Sequence, residues 1–209
     1  AIGMGVGKLG LRERPKDIPS KQAAAAVGQC ELMYTYDKLF SEYHHTVAQL
    51  LITGDDTTND TRRFNFTNTL NRLLELGALP IINENDTVAT DEIVIGDNDT
   101  LAAIVARSVH ADMLILLSDI DGLYTADPHT HPEAALLHHV AGIDDHIREI
   151  AGISSSTQGT GGMVTKLHAA DICLGCGCKM VIANGNNPGN LYDILEGKAV
   201  GTTFSEERL

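Results

Sequence analysis

The sequence is short of basic side chains and contains no long hydrophobic run. Its 15 lysines and arginines are outnumbered by 28 aspartates and glutamates, which gives a formal net charge of -13 at pH 7. This balance argues against nonspecific binding to nucleic acid or to an anionic membrane surface, because both need a basic face. It does not exclude a nucleotide, whose phosphates can be held by backbone amides and a lysine. With no membrane span or secretory signal in evidence, we expect a cytosolic protein.

Cysteine is also scarce. Cys30 stands alone, and Cys173, Cys176 and Cys178 follow much later with a C-x2-C-x-C spacing that could supply metal ligands. No second pair lies nearby in the sequence to complete four ligands. We therefore predict no metal held by these side chains, with Cys173 in the core of a helix and the other two at the turn LGCGCK.

Short apolar runs alternate with segments of helical spacing, and 209 residues suffice for one substantial domain. The apolar runs cover residues 47–53, 79–82, 113–117 and 180–183. Helical spacing covers residues 20–40, 61–76 and 101–109, and a last helix runs from Thr165 or Lys166 to Leu174. Ser20 is a candidate N-cap of the first long helix, and Gly77 is a candidate C-cap. This alternation is typical of an α/β fold, with a mainly parallel sheet sandwiched between helices.

Each apolar run ends in polar residues. The first polar residues at these four ends are, in chain order, Thr53, Asn83, Ser118 and Asn184. Open α/β sheets bind their ligands beyond the carboxyl ends of the strands. We therefore predict that these polar ends line one edge of the sheet.

Two polar clusters flank one predicted hairpin-like excursion of the chain: residues 83–86 (Asn-Glu-Asn-Asp) and residues 97–99 (Asp-Asn-Asp). Carboxylates can accept hydrogen bonds from the ammonium group of a small zwitterion while amides donate to its carboxylate. The alternative is ordinary turn chemistry with a helix N-cap at Asp99. Because each cluster follows or precedes a regular element, we favour an amino-acid-binding function.

A glycine-rich segment, AGISSSTQGTGG, precedes the last long helical pattern. Gly159, Gly161 and Gly162 allow successive amides to turn toward an anion, and Lys166 in the first helical turn can reach the same anion. The alternative is a flexible loop followed by a solvated lysine. A lysine is unfavourable at a helix start, so a structural function explains it poorly.

These features together predict phosphoryl transfer to a carboxylate. Such an acceptor needs no general base, because a carboxyl pKa of about 4 leaves it ionised at neutral pH. Catalysis then consists of aligning two anions and neutralising the charge that spreads over the transferred group. Lys166, Mg2+ and backbone amides suit that task.

Five ordered segments resemble the amino acid kinase family, and within it the branch that phosphorylates glutamate. They are SKQAAAAVGQ (20–29), NENDTVATDEI (83–93), GDNDTLAA (96–103), LLSDIDGLYTADP (116–128) and GTGGMVTK (159–166). The resemblance implies ATP-dependent phosphorylation of the γ-carboxylate of L-glutamate, the first step of proline synthesis. It also implies Mg2+ as a cofactor, feedback inhibition by proline and a homo-oligomer.

The same resemblance implies functions for individual residues. Asp86 and Asn98 match glutamate ligands, Asp99 matches a residue that orients lysines, and Lys166 matches the side chain that stabilises the transferring phosphoryl. Tyr124 and its neighbours up to Pro128 match a segment near the adenine. The residues that match nucleotide contacts are Ser118, Asp119, Thr160, Gly161, Gly162, Met163, Val164, Thr165 and Lys166.

The sequence departs from the family pattern at its start. The family begins with a strand carrying a lysine and a Gly-Ser phosphate loop, followed by a strand ending in Ser-Ser-Gly-Ala, and Ala1 matches that last alanine. We therefore expect residues 1–209 to be an N-terminally incomplete amino acid kinase domain, inactive on its own, without the C-terminal PUA domain that many bacterial members carry.

Two alternatives to a glutamate kinase remain. One is a sister kinase that acts on another small acid or on a nucleotide, because discrimination between small acids rests on few contacts. The other is a module that senses proline or glutamate without catalysis.

Overall fold

The computed structural model describes residues 1–88, 95–128, 130–153 and 162–206. The chain forms two compact units, Ala1–Ile95 and Gly96–Leu209. Within the described ranges, no helix is both long and apolar enough to cross a bilayer.

The first unit contains four helices and two strands among its described residues. In chain order these are α1 (Ile2–Lys8), α2 (Ile18–Ser41), β1 (Val47–Ile52), α3 (Gly54–Thr58), α4 (Asp60–Glu75) and β2 (Leu79–Glu84). The two strands are parallel, with Val47 opposite Leu79 and Ile52 opposite Glu84. The predicted strands at these positions are confirmed, and their carboxyl ends lie side by side.

Helix α1 was not predicted, because its glycine-rich sequence has low helix propensity. Its glycines allow close contact with α2. A Cβ atom on Gly5 would lie 1.8 Å from the Ala24 carbonyl oxygen, and one on Gly28 would lie 1.9 Å from the Ala1 oxygen. Tertiary packing against the small residues of α2 therefore stabilises a helix that the local sequence disfavours.

The predicted start of α2 was wrong by three residues. Asp17 is the N-cap, and its side chain accepts a hydrogen bond from the Ser20 backbone nitrogen at 2.9 Å. Pro19 lies in the first turn, where its missing N–H costs nothing. At the end of α4, Gly77 follows the C-cap Leu76 with φ +72°, so the predicted glycine stop is correct within one residue.

The second unit contains a four-stranded sheet covered by helices. Its elements are α5 (Asn98–Ser108), β3 (Met113–Ser118), β4 (His139–Val140), α6 (Asp145–Ile153), α7 (Met163–Leu174), β5 (Lys179–Asn184), α8 (Asn190–Leu195) and β6 (Thr202–Phe204). The strand order is β3-β5-β6-β4. The β3–β5 and β4–β6 pairs are parallel, and only the β5–β6 pair among these strands is antiparallel. A mainly parallel sheet is confirmed for this unit.

The core of this unit lies between the sheet and the alanine-rich faces of α5 and α7. Its fully buried members include Ala103, Ala169, Cys173, Met180 and Phe204. Burial raises the pKa of the Cys173 thiol to about 12, which keeps the thiol protonated and apolar. The prediction that Cys173 belongs to a helix core is confirmed.

The other two cysteines of the trio flank the turn that follows α7. Cys176 is exposed, whereas Cys178 is buried and donates its backbone N–H to the Cys173 carbonyl at 2.9 Å. Gly177 between them has φ +73°, the left-handed conformation that favours glycine. The spacing of the trio is therefore explained by a helix end and a return into β5.

The predicted single edge of polar strand ends needs correction. The described strands form two sheets, β1-β2 and β3-β5-β6-β4, so the polar ends line two edges. On the first edge Ile52 pairs with Glu84, and on the second Ser118 pairs with Asn184. Hydrophobic runs identify strands, but pairing depends on contacts between distant segments that periodicity does not encode.

Candidate active site

The carboxyl end of β2 carries the first polar cluster, and two of its side chains are anchored. Asn83 donates from Nδ2 to Gln29 Oε1 of α2 at 3.0 Å, while its Oδ1 accepts the Glu84 N–H at 2.9 Å. The Glu84 carboxylate accepts the Ile95 N–H at 2.6 Å. The end of this strand is thus held by contacts to both an earlier helix and a later segment of the chain.

Asn85 forms the turn that follows. Its N–H donates to the Ile52 carbonyl at 2.7 Å, and its own carbonyl accepts the Val88 N–H at 3.2 Å. Its side-chain oxygen accepts the Thr87 hydroxyl. These contacts extend the parallel pairing by one residue and then reverse the chain.

Asp86 lies within that turn and differs from its neighbours. It is half-buried, yet its carboxylate accepts no hydrogen bond from any residue that the structure describes. Burial raises the pKa of Asp86, and the positive charges of the Ala1 amino group and Arg14 only partly offset this effect. A partly desolvated carboxylate without a hydrogen-bond donor is suited to a cationic ligand.

The second cluster opens α5. Asp97 is the N-cap, because its side chain accepts the Thr100 N–H at 2.7 Å and the Thr100 hydroxyl at 2.9 Å. The alternative interpretation, that Asp99 caps this helix, is therefore wrong. Asn98 is the first helical residue, and Asp99 is left to make tertiary contacts.

Asp99 joins the start of α5 to the start of α7. Its Oδ2 atom accepts the Thr165 hydroxyl at 2.8 Å and lies 3.0 Å from Lys166 Nζ. Lys166 is only 6% exposed. Because removing two charges from water often costs as much as their attraction returns, such a buried pair is better explained by function than by stability.

The start of α7 is suited to an anion. The helix begins at Met163, two residues before the earlier of the two predicted starts, Thr165 and Lys166. Its N-cap is Gly162, which has no side chain to cap the first amides. Since no side chain in the described part of the chain caps α7, its first amides and the helix dipole favour a phosphate at this position. Of the other predicted nucleotide contacts, Met163 is buried and Val164 is exposed, while Thr160 and Gly161 lie outside the described residues.

The carboxyl edge of β3 and β5 carries Ser118 and Asp119. The Ser118 hydroxyl donates to Asp119 Oδ1 at 3.1 Å, and the Ser118 carbonyl accepts the Gly185 N–H at 2.8 Å. The two strand ends are therefore joined by a backbone contact directly beside both predicted nucleotide residues.

Asp121 on the same edge was not predicted as a site residue. Its carboxylate accepts Asn184 Nδ2 at 2.8 Å and the Tyr124 hydroxyl at 3.0 Å. Burial, and then the hydrogen bond to Asp121, raise the pKa of Tyr124. Asn184 ends a strand and so had a sequence signal, but nothing local indicated that Asp121 bridges two loops.

No group of three or more His, Cys, Asp or Glu side chains in the described ranges is placed to hold a metal by protein ligands alone. Mg2+ commonly binds through one or two carboxylates together with substrate phosphates, so its sites need no group of three protein ligands.

The structure brings together Asp99, Thr165 and Lys166 in one cluster, and Ser118 with Asp119 at one edge of the sheet. Asp86 belongs to the first unit and Asn98 to the second.

Comparisons with known proteins identify the family. The profile of the amino acid kinase family matches residues 3–184. Glutamate 5-kinase of Clostridium tetani is 53% identical over 205 residues, which cover 98% of this chain and 77% of that protein. Glutamate 5-kinase of Symbiobacterium thermophilum is 52% identical over 207 residues, covering 99% and 79%.

Solved structures support the fold alone. The isopentenyl phosphate kinase of T. acidophilum aligns with a TM-score of 0.59 at 20% identity, over 96% of this chain and 78% of that one. UMP kinase of Bacillus anthracis aligns with a TM-score of 0.61 at 12% identity, over 97% and 74%. The predicted α/β fold and the predicted resemblance are confirmed. Since the profile covers most of its length and curated relatives share about half of its residues, the chain belongs to the amino acid kinase family.

Proposed function

We propose that this chain belongs to a glutamate 5-kinase, which transfers the γ-phosphoryl group of ATP to the γ-carboxylate of L-glutamate and forms L-glutamyl 5-phosphate. This reaction is the first step of proline synthesis. The observation that carries the proposal is the buried Lys166–Asp99 pair at the start of α7, in a chain about half identical to glutamate 5-kinases.

Glutamate is assigned to the two polar clusters. Asp86 binds its ammonium group, because this half-buried carboxylate has a raised pKa and would be stabilised in its ionised form by a cation. Asn98 donates its side-chain amide to the glutamate carboxylate. This division leaves the γ-carboxylate of the substrate as the nucleophile.

ATP is assigned to the second unit. The first amides of α7 and the Lys166 ammonium face the phosphates, and Ser118 and Asp119 contact the nucleotide. Glycines at residues 161 and 162 let the backbone approach the phosphates closely. When bound, Mg2+ would neutralise part of the phosphate charge.

The chemistry follows from these positions. The acceptor carboxylate is ionised at neutral pH, so no residue has to remove a proton. Lys166 stabilises the charge that spreads over the transferring phosphoryl group. Asp99, which accepts the Thr165 hydroxyl, holds the lysine ammonium so that it need not reorganise during transfer.

Regulation and assembly are part of the proposal. Proline would act as a feedback inhibitor through the glutamate region, and the enzyme would be a homo-oligomer. Full activity at saturating proline would contradict the first statement, and a monomer in sedimentation analysis would contradict the second.

The proposal is tested with the natural gene product that contains this sequence. With ATP, Mg2+ and hydroxylamine, an acyl hydroxamate should form only when L-glutamate is present. Equal turnover with aspartate or UMP would instead identify a sister kinase. Unchanged glutamate binding with no turnover in either wild type or Lys166→Met would identify a sensor.

A further inference from the structure

The side chains of Asn83, Glu84 and Asn85 form hydrogen bonds within the protein, whereas the proposed ligand Asp86 does not among the described residues. Successive side chains of a strand point to opposite faces. Asn83 is anchored to Gln29 on one side, and Glu84 is anchored to Ile95 on the other. Asn85 shapes the turn. Asp86 is the member whose carboxylate accepts no hydrogen bond within the described residues.

The Glu84 contact differs from the others in its reach along the chain. It joins residues 84 and 95, which are 11 positions apart in the sequence. The distance of 2.6 Å is short, as expected for a carboxylate that accepts from a backbone N–H. The Glu84 side chain is partly buried, so solvent competes less for this hydrogen bond.

The position of this closure matters for the proposed substrate. Asp86 lies two residues after Glu84, within the stretch of chain that this hydrogen bond closes. The Glu84 carboxylate therefore holds the base of the segment that carries Asp86, a proposed glutamate ligand. Small errors in such positions are costly, because a misplacement of about 1 Å can reduce a rate by about 100-fold.

We infer that Glu84 is a positioning residue for glutamate: by accepting the Ile95 N–H it holds the segment bearing Asp86 in its binding geometry. This inference rests on the proposed glutamate kinase function. Glu84 itself touches neither substrate nor nucleotide in this assignment. Its loss should weaken glutamate binding while the ATP site in the second unit keeps its own contacts.

Three substitutions of Glu84 separate positioning from charge. Glu84→Ala removes the acceptor. Glu84→Asp keeps the charge but withdraws the carboxylate by more than about 1 Å, since one C–C bond of about 1.5 Å is lost, and this takes it beyond hydrogen-bond range of Ile95. Glu84→Gln keeps an acceptor oxygen at the original length. Glu75→Ala is the matched control, because Glu75 is exposed and pairs with Arg72 on the surface of the same unit.

The experiment measures KM and kcat for glutamate and ATP by hydroxamate formation in the natural gene product, with thermal unfolding in parallel. We expect Glu84→Ala and Glu84→Asp to raise the glutamate KM by about tenfold or more, with the ATP KM within about twofold of wild type. Glu84→Gln should stay within about threefold, and Glu75→Ala should match wild type.

Each outcome bears on a different statement. An unchanged glutamate KM in both Glu84→Ala and Glu84→Asp overturns the inference, and so does an equal rise in the KM values for glutamate and ATP, which indicates a general loss of structure. Should Glu84→Ala fail to fold, Glu84→Asp decides. A wild-type protein with no glutamate-dependent product instead refutes the proposed function.

Discussion

Replacing Lys166 by methionine tests the proposed site most directly, because methionine keeps an unbranched side chain of similar length and removes only the ammonium group. Lys166 is 6% exposed and its Nζ lies 3.0 Å from Asp99. Losing a fixed group that stabilises transition-state charge typically costs about 10²- to 10³-fold in kcat. We expect a fall of that size, with the glutamate affinity within about threefold of wild type.

The cost in stability should be smaller than for a fully buried pair. Removing one partner of a buried salt bridge costs about 3–5 kcal/mol. The Asp99 side chain is 17% exposed and keeps its hydrogen bond from Thr165, so solvent and the hydroxyl compensate in part. We expect a loss of about 1–3 kcal/mol in the free energy of unfolding.

Hydroxamate formation measures kcat, calorimetry measures glutamate affinity, and thermal or urea unfolding measures stability. Lys198→Met is the matched control, since Lys198 is an exposed lysine paired with Asp193 and Glu196. It should keep both the kcat and the stability of the wild type, since solvent screens the exposed ion pairs of Lys198. Combining Lys166→Met with Asp99→Asn should cost much less in kcat than the product of the single effects, because one side chain acts through the other.

A Lys166→Met variant that remains folded and keeps its kcat within about threefold of wild type would show that Lys166 does not stabilise the transferring phosphoryl group. If the effects of the Lys166 and Asp99 substitutions on kcat simply multiply, Lys166 still contributes to catalysis, but Asp99 does not act by positioning it.

Three further predictions follow from the described contacts. Burial raises the pKa of Asp86 in the folded state, so ionisation of this carboxyl opposes folding as the pH rises from about 4 through the folded pKa. Asp86→Asn should therefore be more stable than wild type to thermal unfolding at pH 7, and equally stable near pH 3. The same variant should bind glutamate more weakly. Gly5→Ala should lower stability by about 1–3 kcal/mol through its clash with Ala24, whereas Gly7→Ala, whose new Cβ would meet no described atom within 4 Å, should be neutral or stabilising by up to about 1 kcal/mol in urea unfolding. Asp121→Ala, which removes the acceptor for Asn184 and Tyr124, should raise the ATP KM by about two- to tenfold and leave the glutamate KM unchanged in steady-state kinetics.

Helix caps show how far local rules reach. The sequence offers Asp17 and Ser20 at the start of α2, and Asp97 and Asp99 at the start of α5. All four are good capping residues, so propensity alone does not choose between them. In both helices the earlier residue is the cap, because its side chain accepts the N–H three residues later. Asp99, the later residue at the start of α5, does not cap the helix and contacts Lys166 instead.

The first helix shows the opposite case. The segment Ile2–Lys8 contains three glycines, each of which disfavours a helix by about 1 kcal/mol relative to alanine. Close approach to Ala24 and Gly28 of α2 reverses that preference. No periodic pattern in the sequence signals such a contact, because the relevant feature is the absence of side chains.

The amino-acid sequence by itself determined the alternation of strands and helices, the polar ends of the strands and the family, since these depend on local periodicity and on short ordered motifs. The tertiary structure decided which strands pair. It also decided which polar residues cap helices and which make contacts between distant segments. Asp99 meets Lys166 across 67 positions of sequence, and Asp121 meets Asn184 across 63. Such contacts form when packing brings distant segments together, and burial then changes the charge properties of the side chains that they join.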